Sequence, residues 1–127
     1  MIKYWTFKLF ISDKGDKEVE EWLNNGIPKK AKARIRARLA YLEVTKTWVP
    51  DLVTKYKSSD KIFEIRVTVQ NIQYRPLGCY GPNEKEFTLL IGAEEKGGKL
   101  IPHNSIKFAE ERRKLIFQDK RYTYEYI

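Results

Sequence analysis

The sequence predicts an α+β fold: a small twisted, mostly antiparallel sheet with two N-terminal helices and one C-terminal helix, in the order β-α-α-β-β-β-α. Three observations lead there. From Phe63 to Val69 the chain alternates, with Phe63, Ile65, Val67 and Val69 pointing one way and Glu64, Arg66 and Thr68 the other, the period of a half-buried strand. Ala31, Ile35, Leu39 and Leu42 recur at spacings of four, four and three, which puts them on one face of a helix. Helical and extended patterns follow one another without an internal repeat or linker, so the helices have one sheet to cover.

In chain order, residues 3–11 (KYWTFKLFI) are aromatic-rich and read as the first strand, and Ser12-Asp13-Lys14-Gly15 as a turn. Asp16 can cap a first helix whose opening turn carries Glu18, Glu20 and Glu21 at the positive end of its dipole. Val19, Trp22 and Leu23 form its apolar stripe, and Asn24-Asn25-Gly26 ends it. Pro28 opens the second helix, residues 28–46, with Lys29, Lys30, Lys32, Arg34, Arg36 and Arg38 around its buried stripe. Trp48-Val49-Pro50 breaks it, and residues 51–61 read as a loop.

The central hairpin comes next, with Gln70-Asn71 as its two-residue turn. Pro76 lacks a ladder donor and implies a bulge or an unpaired position. Gly81-Pro82-Asn83 is a turn, and residues 86–93 (EFTLLIGA) are apolar enough for a strand covered on both faces. Residues 94–99 read as a charged, Gly-rich loop. Pro102 starts a last helix to about Phe117, with Ile106, Ala109, Leu115 and Ile116 inward. Residues 119–127 form a short tail in which Tyr122, Tyr124 and Tyr126 alternate.

The 127 residues suit one domain over 1–127 with a real core, and 42% hydrophobic against 33% charged residues place it among globular rather than disordered chains. No apolar run is long enough for a membrane span, and the N-terminus lacks a signal-peptide layout. One cysteine, Cys79, excludes an internal disulfide framework and fits a reducing cytoplasm. Together with the single His103 it is too little for a Cys/His zinc site, so no metal or other cofactor is expected. Residues 93–100 (AEEKGGKL) sit where a phosphate-binding loop would, but Ala93 and Leu100 replace residues its mechanism needs and Glu94 and Glu95 would repel phosphate.

The net charge of +8 is uneven: residues 28–57 carry nine basic and two acidic residues, whereas 1–27 carry four and five. That concentration is consistent with a surface that meets a polyanion, and equally with a soluble helix face. With Gln70-Asn71 as the turn, Val67 faces Tyr74 and Arg66 lies opposite Arg75, with Glu64 one pleat along. Opposed like charges destabilise a strand pair, so two guanidiniums held together suggest an anion between them. A solvated face with an ordinary Arg66–Glu64 ion pair fits the same pattern.

Gly15, Glu18-Val19-Glu20-Glu21-Trp22-Leu23, Phe63-Glu64-Ile65-Arg66, Tyr74-Arg75, Leu89-Leu90-Ile91-Gly92, Lys96, and Pro102 with Ile106 and Ala109 together resemble, in order and spacing, the phage-derived HigB-type toxins of the RelE/ParE superfamily, over roughly residues 3–117. The resemblance implies the same α+β fold and a toxin of a type II toxin–antitoxin pair. It implies a ribosome-dependent, metal-independent endoribonuclease that cuts mRNA by attack of the ribose 2′-hydroxyl on the adjacent phosphate. Members of the ParE branch share the fold and poison DNA gyrase instead, and a non-catalytic phage-derived protein that binds nucleic acid is a third reading.

Carried over by position, the resemblance makes Arg66 and Arg75 the arginines that neutralise the phosphate and Glu64 the carboxylate beside them. Lys96 resembles a lysine of the basic stretch after the last strand, although this chain has Ala93-Glu94-Glu95-Lys96 where relatives carry an aromatic and a lysine pair. Tyr80 or Tyr124 could stack on a base, and Tyr122 or Tyr126 could serve in the tail, while core or edge packing is the alternative for each and the one favoured for Tyr80. His103 belongs to the helix start. Lys29, Lys30, Lys32, Arg34, Arg36 and Arg38 would meet ribosomal RNA. The implied partners are the ribosome with its mRNA and a cognate helix-turn-helix antitoxin, with operator DNA reached only through that antitoxin.

Overall fold

A computed structural model describes residues 2–127. The elements in chain order are β1 (Thr6–Phe10), α1 (Glu18–Asn25), α2 (Lys29–Glu43), β2 (Val53–Lys55), β3 (Phe63–Ile65), β4 (Val67–Val69), β5 (Ile72–Tyr74), β6 (Leu77–Tyr80), β7 (Glu86–Ile91), β8 (Glu94–Lys96), β9 (Lys99–Ile101), α3 (Ser105–Gln118) and β10 (Thr123–Glu125). The fold class is the α+β arrangement the sequence predicts, but the strands form two sheets. One has six strands in the order β10-β1-β7-β6-β3-β2, and the other has four in the order β4-β5-β8-β9. Among the described residues only β1 and β7 pair in parallel; every other pairing is antiparallel.

The larger sheet is covered on both faces. Val19 and Leu23 of α1 and Ala31, Ile35, Leu39 and Leu42 of α2 pack with Phe7, Leu9, Phe87 and Leu89 on one side. Ala109 and Ile116 of α3 pack with Phe10, Leu77, Cys79 and Leu90 on the other. Coverage from both sides is why Phe87, Thr88, Leu89 and Leu90 are all buried in β7 and why no polar alternation marks it. Gly92 lets α1 approach, because a Cβ there would overlap the Trp22 ring. Cys79 is free and fully buried, with its thiol pushed up to about 12 by desolvation, as expected of a small core residue.

Several local expectations change. The α1 N-cap is Lys17, without a side-chain cap bond, because the turn before it is closed by Ser12 Oγ accepting from the Asp16 amide at 2.9 Å. Pro28 is the N-cap of α2 rather than its first residue, and α2 ends at Glu43. The expected loop at 51–61 holds β2, which pairs with β3 at Val53↔Ile65 and Lys55↔Phe63. The expected loop at 94–99 is the β8–β9 hairpin, turned by Gly97 and Gly98 with φ of 59° and 78°. Asn104, not Pro102, stands at the α3 N-cap. The tail is part of the large sheet: β10 pairs with β1 at Leu9↔Tyr124.

The hairpin at Gln70-Asn71 has the expected register, Val67↔Tyr74 and Val69↔Ile72, with both turn residues at positive φ (52° and 68°), as a type I′ turn requires. It does not continue as one flat ribbon. Beyond Arg66 and Arg75 the same two chains pair again as β3 and β6, at Glu64↔Leu77 and Phe63↔Gly78, but in the other sheet. Arg66 and Arg75 therefore sit opposite each other at the corner where the ribbon passes from sheet to sheet. Their amides turn outward there: Arg66 N donates to Leu52 O and Arg75 N to Ala93 O, each at 2.8 Å.

Candidate active site at the corner between the sheets

A cleft of about 260 Å³ opens at this corner, lined by Thr54, Lys55, Tyr56, Lys57, Glu64, Arg66, Glu95 and Gly98. One wall is β2 with the loop after it, the other is β8 and its turn, and β3 with Arg66 supplies the floor. Thr54 lies opposite Glu64 in the β2–β3 pairing, which brings both onto the face that looks into the cleft.

Four charged groups interlock here. Arg66 Nη1 donates to Glu64 Oε1 at 2.7 Å; the Glu64 side chain is only 6% exposed, whereas that of Arg66 is 40% exposed. Arg75, opposite, is buried to 2%. Its Nη1 donates to Tyr74 O at 2.9 Å and its Nη2 to Gln73 Oε1 at 2.6 Å, and its Nε faces Glu95 Oε1 at 3.4 Å. The two arginines thus share a face, as expected, but not a depth. Arg66 is the guanidinium with donors left for a ligand, and Arg75 is spent inside the protein on the carbonyls and carboxylate around it.

Burial sets the electrostatics. Desolvation pushes the Glu64 carboxyl above the usual carboxylate range against the pull of Arg66 and Arg75, and Glu95 reinforces the rise. Desolvation and the neighbouring Arg66 charge lower Arg75. Desolvation, then the charges of Glu64 and Glu95, raise the Tyr56 phenol and keep it protonated at neutral pH. Glu64 Oε2 is buried without a hydrogen-bond partner, an arrangement more often kept at a working site than in a passive core.

The basic helix contributes along one flank. Lys30, Arg34 and Arg38 lie one turn apart in succession, and Lys30 and Arg34 line a shallow depression with Val69 and Gln70 of the hairpin. Arg38 donates to the backbone carbonyl of Arg66, and burial followed by the Arg34 charge lowers its pKa. This row of cations follows β4 to the floor of the cleft. The other flank leads elsewhere: Arg36 donates to Asn24 Oδ1 at 2.7 Å and to the Tyr126 hydroxyl at 3.2 Å. Lys29 and Lys32 share that flank.

The remaining expected residues are not gathered at the cleft. Lys96 alternates with Glu95 along β8, so it points to the opposite face. Tyr80 packs among Phe63, Phe87, Trp5 and Trp48 at ring separations of 4.9 to 5.7 Å, in the aromatic cluster on the α2 side of the large sheet. Tyr124 belongs to β10, four strand positions from β3, roughly 19 Å at the usual strand spacing. Its hydroxyl donates to Glu20 at 3.1 Å, while Tyr122 stacks on Phe10. His103 is exposed ahead of α3. In their place the structure brings Tyr56, Lys55, Lys57 and Glu95 to the cleft. The sequence signal for Glu95 was the Gly97-Gly98 pair between two short runs, which specifies a tight hairpin.

Among the described residues no helix is long and apolar enough to cross a membrane, and no group of three His, Cys, Asp or Glu side chains is placed to hold a metal ion. Compared with known proteins, the chain matches a family model described as Phage derived protein Gp49-like (DUF891) over residues 21–114, a span that holds every side chain of the cleft. No curated protein and no solved structure matches it.

Proposed function

The chain belongs to the Gp49-like family of phage-derived proteins, and from that membership we propose that it is the toxin of a type II toxin–antitoxin pair, a HigB-like endoribonuclease that cuts mRNA on the ribosome. The observation that carries the reading is the Glu64–Arg66 pair: a buried, raised carboxylate held at 2.7 Å by a guanidinium that still faces solvent.

The chemistry follows from that pair. A backbone phosphate entering the cleft draws the open donors of Arg66, a planar fork suited to two phosphate oxygens. As Arg66 turns to the phosphate, Glu64 Oε1 loses its partner and becomes the acceptor for the neighbouring 2′-hydroxyl proton. The 2′-oxygen attacks phosphorus, charge builds on the phosphoryl oxygens, and Arg66 meets it as a preorganised cation at the edge of a dry site. Arg75 acts from beneath, keeping Glu64 and Glu95 in place and partly neutralised. Lys30 and Arg34 hold the RNA backbone by charge, without reading sequence.

The test is primer extension on a reporter mRNA with purified ribosomes and wild-type protein, repeated with Glu64→Gln. Discrete cuts ending in a cyclic phosphate, lost in the variant, support the reading; intact mRNA under conditions that arrest growth overturns it. A toxin that binds a protein target such as gyrase is the second reading, favoured by the burial of Arg75, whose two terminal nitrogens are turned inward to Tyr74 O and Gln73 Oε1.

A further inference from the structure

We propose that Tyr56 is the proton donor to the departing 5′-oxygen in the cleft, an assignment that rests on the endoribonuclease reading. A phosphodiester cut by its own 2′-hydroxyl needs a base on one side and an acid at the leaving oxygen on the other. Tyr56 lines the same cleft as Glu64 and Arg66, from the wall formed by β2 and its loop.

The position is built rather than incidental. Tyr56 N donates to Ile62 O at 2.8 Å and Ser59 N to Tyr56 O at 3.1 Å, closing the loop. Ser59, itself buried, accepts from the amides of Lys61 and Ile62 at 3.3 Å and donates to Glu110 Oε2 of α3 at 2.9 Å. The Tyr56 ring rests against the core beneath α3. Backbone, a buried hydroxyl and apolar packing thus hold the ring, while among the described residues the Tyr56 hydroxyl itself makes no hydrogen bond and is free for a ligand. The cations of the wall suit the role less: Lys55 Nζ is drawn to Ser59 O at 3.3 Å and Asp60 at 4.0 Å, and Lys57 is exposed.

The step balances. The 2′-hydroxyl proton passes to the Glu64 carboxylate as the bond from 2′-oxygen to phosphorus forms. The bond from phosphorus to the 5′-oxygen breaks with its electron pair on oxygen, and the Tyr56 hydroxyl supplies the proton, leaving a phenolate. The products are a 2′,3′-cyclic phosphate and a 5′-hydroxyl, and the proton on Glu64 returns to the phenolate through solvent. Burial, and after it the charges of Glu64 and Glu95, raise the phenol, and neutralising Glu64 removes one of those two charges as the leaving oxygen needs its proton.

The experiment compares a ribosome-bound mRNA with one whose scissile 5′-oxygen is replaced by sulfur, a leaving group that departs without a proton. Tyr56→Phe is expected to slow cleavage of the ordinary substrate about 100-fold, the upper part of the usual range for one acid–base group being 10⁴, and to cut the sulfur substrate at close to the wild-type rate. Equal slowing on both substrates, or wild-type rates on both, overturns the assignment, as does the sulfur-specific rescue appearing in Lys57→Gln instead. If the wild type cuts neither substrate, it is the endoribonuclease reading itself that fails.

Discussion

Glu64 and Arg66 are joined at 2.7 Å yet stand on opposite sides of the protein surface, the carboxylate 6% and the guanidinium 40% exposed. A pair with one buried and one open member is not an ordinary surface salt bridge, whose members are both solvated and worth little. The open member can change partner, and the buried one then stands uncompensated.

Arg66→Lys keeps a cation beside Glu64 but not the fork. Cleavage of ribosome-bound mRNA should fall by about 100-fold, as when one preorganised donor is removed, while the denaturation midpoint stays close to wild type. Full activity in the lysine variant would remove bidentate phosphate contact from the mechanism.

Arg75→Ala should act on the fold. The opposed like charges alone suggest relief on removing one arginine, but at 2% exposure Arg75 compensates Glu64 and Glu95 and caps Tyr74 O. Removing one member of a buried pair costs about 3–5 kcal/mol, readable as a loss of that size in urea unfolding. An unchanged midpoint would mean that water reaches this corner.

Glu64 gives a pH signature with a definite sign. Its carboxyl is raised in the folded protein, so the folded state binds this proton more tightly than the unfolded chain. The corresponding stability is present below the ordinary Glu value of about 4.3 and is lost as pH rises through the raised folded value. The stability of the wild type relative to Glu64→Gln should therefore fall from acid to neutral pH, measured by denaturation at several pH values. Cleavage should rise over the same window as the base deprotonates.

The Lys30–Arg34 row should be felt in salt. Replacing both with Gln should make the slope of log affinity for RNA against log salt shallower by about 1.4 to 1.8, from two phosphate contacts. Replacing Lys29 and Lys32, on the other flank, should change it less. Equal effects would make α2 a diffuse positive surface rather than a track to Arg66.

Asn71→Gly should stabilise the hairpin by about 1 kcal/mol, since Asn71 holds a φ of 68° that glycine adopts freely. Thermal unfolding reads this directly, and cleavage should be unaffected.

The hairpin turn and its register were legible because alternation and a two-residue turn are local, and so was the α2 core stripe. Alternation assigns Arg66 and Arg75 to one face but says nothing of depth. Depth comes from the ribbon changing sheets between Ile65 and Val67, which turns Arg75 inward and leaves Arg66 at the rim. The missed strands β2, β8 and β9 are three residues each, and β8 reads Glu-Glu-Lys. Runs this short carry no readable period of their own, and their ladders are set by partners distant in sequence: β2 by β3 and β8 by β5. Tyr56 and Glu95 entered the cleft with those strands, beyond the reach of any local pattern.

The pairing of β1 has a consequence for synthesis. Its parallel partner holds Phe87 against Phe7, and its other neighbour holds Glu125 against Lys8. The corner hairpin can form as soon as residues 63–78 are free, but the sheet that supports it stays open at β1 until residues 123–125 have emerged. Contacts so distant along the chain close slowly. A chain still being translated therefore carries its arginines and carboxylates on an unfinished scaffold until residues 123–125 pair with β1.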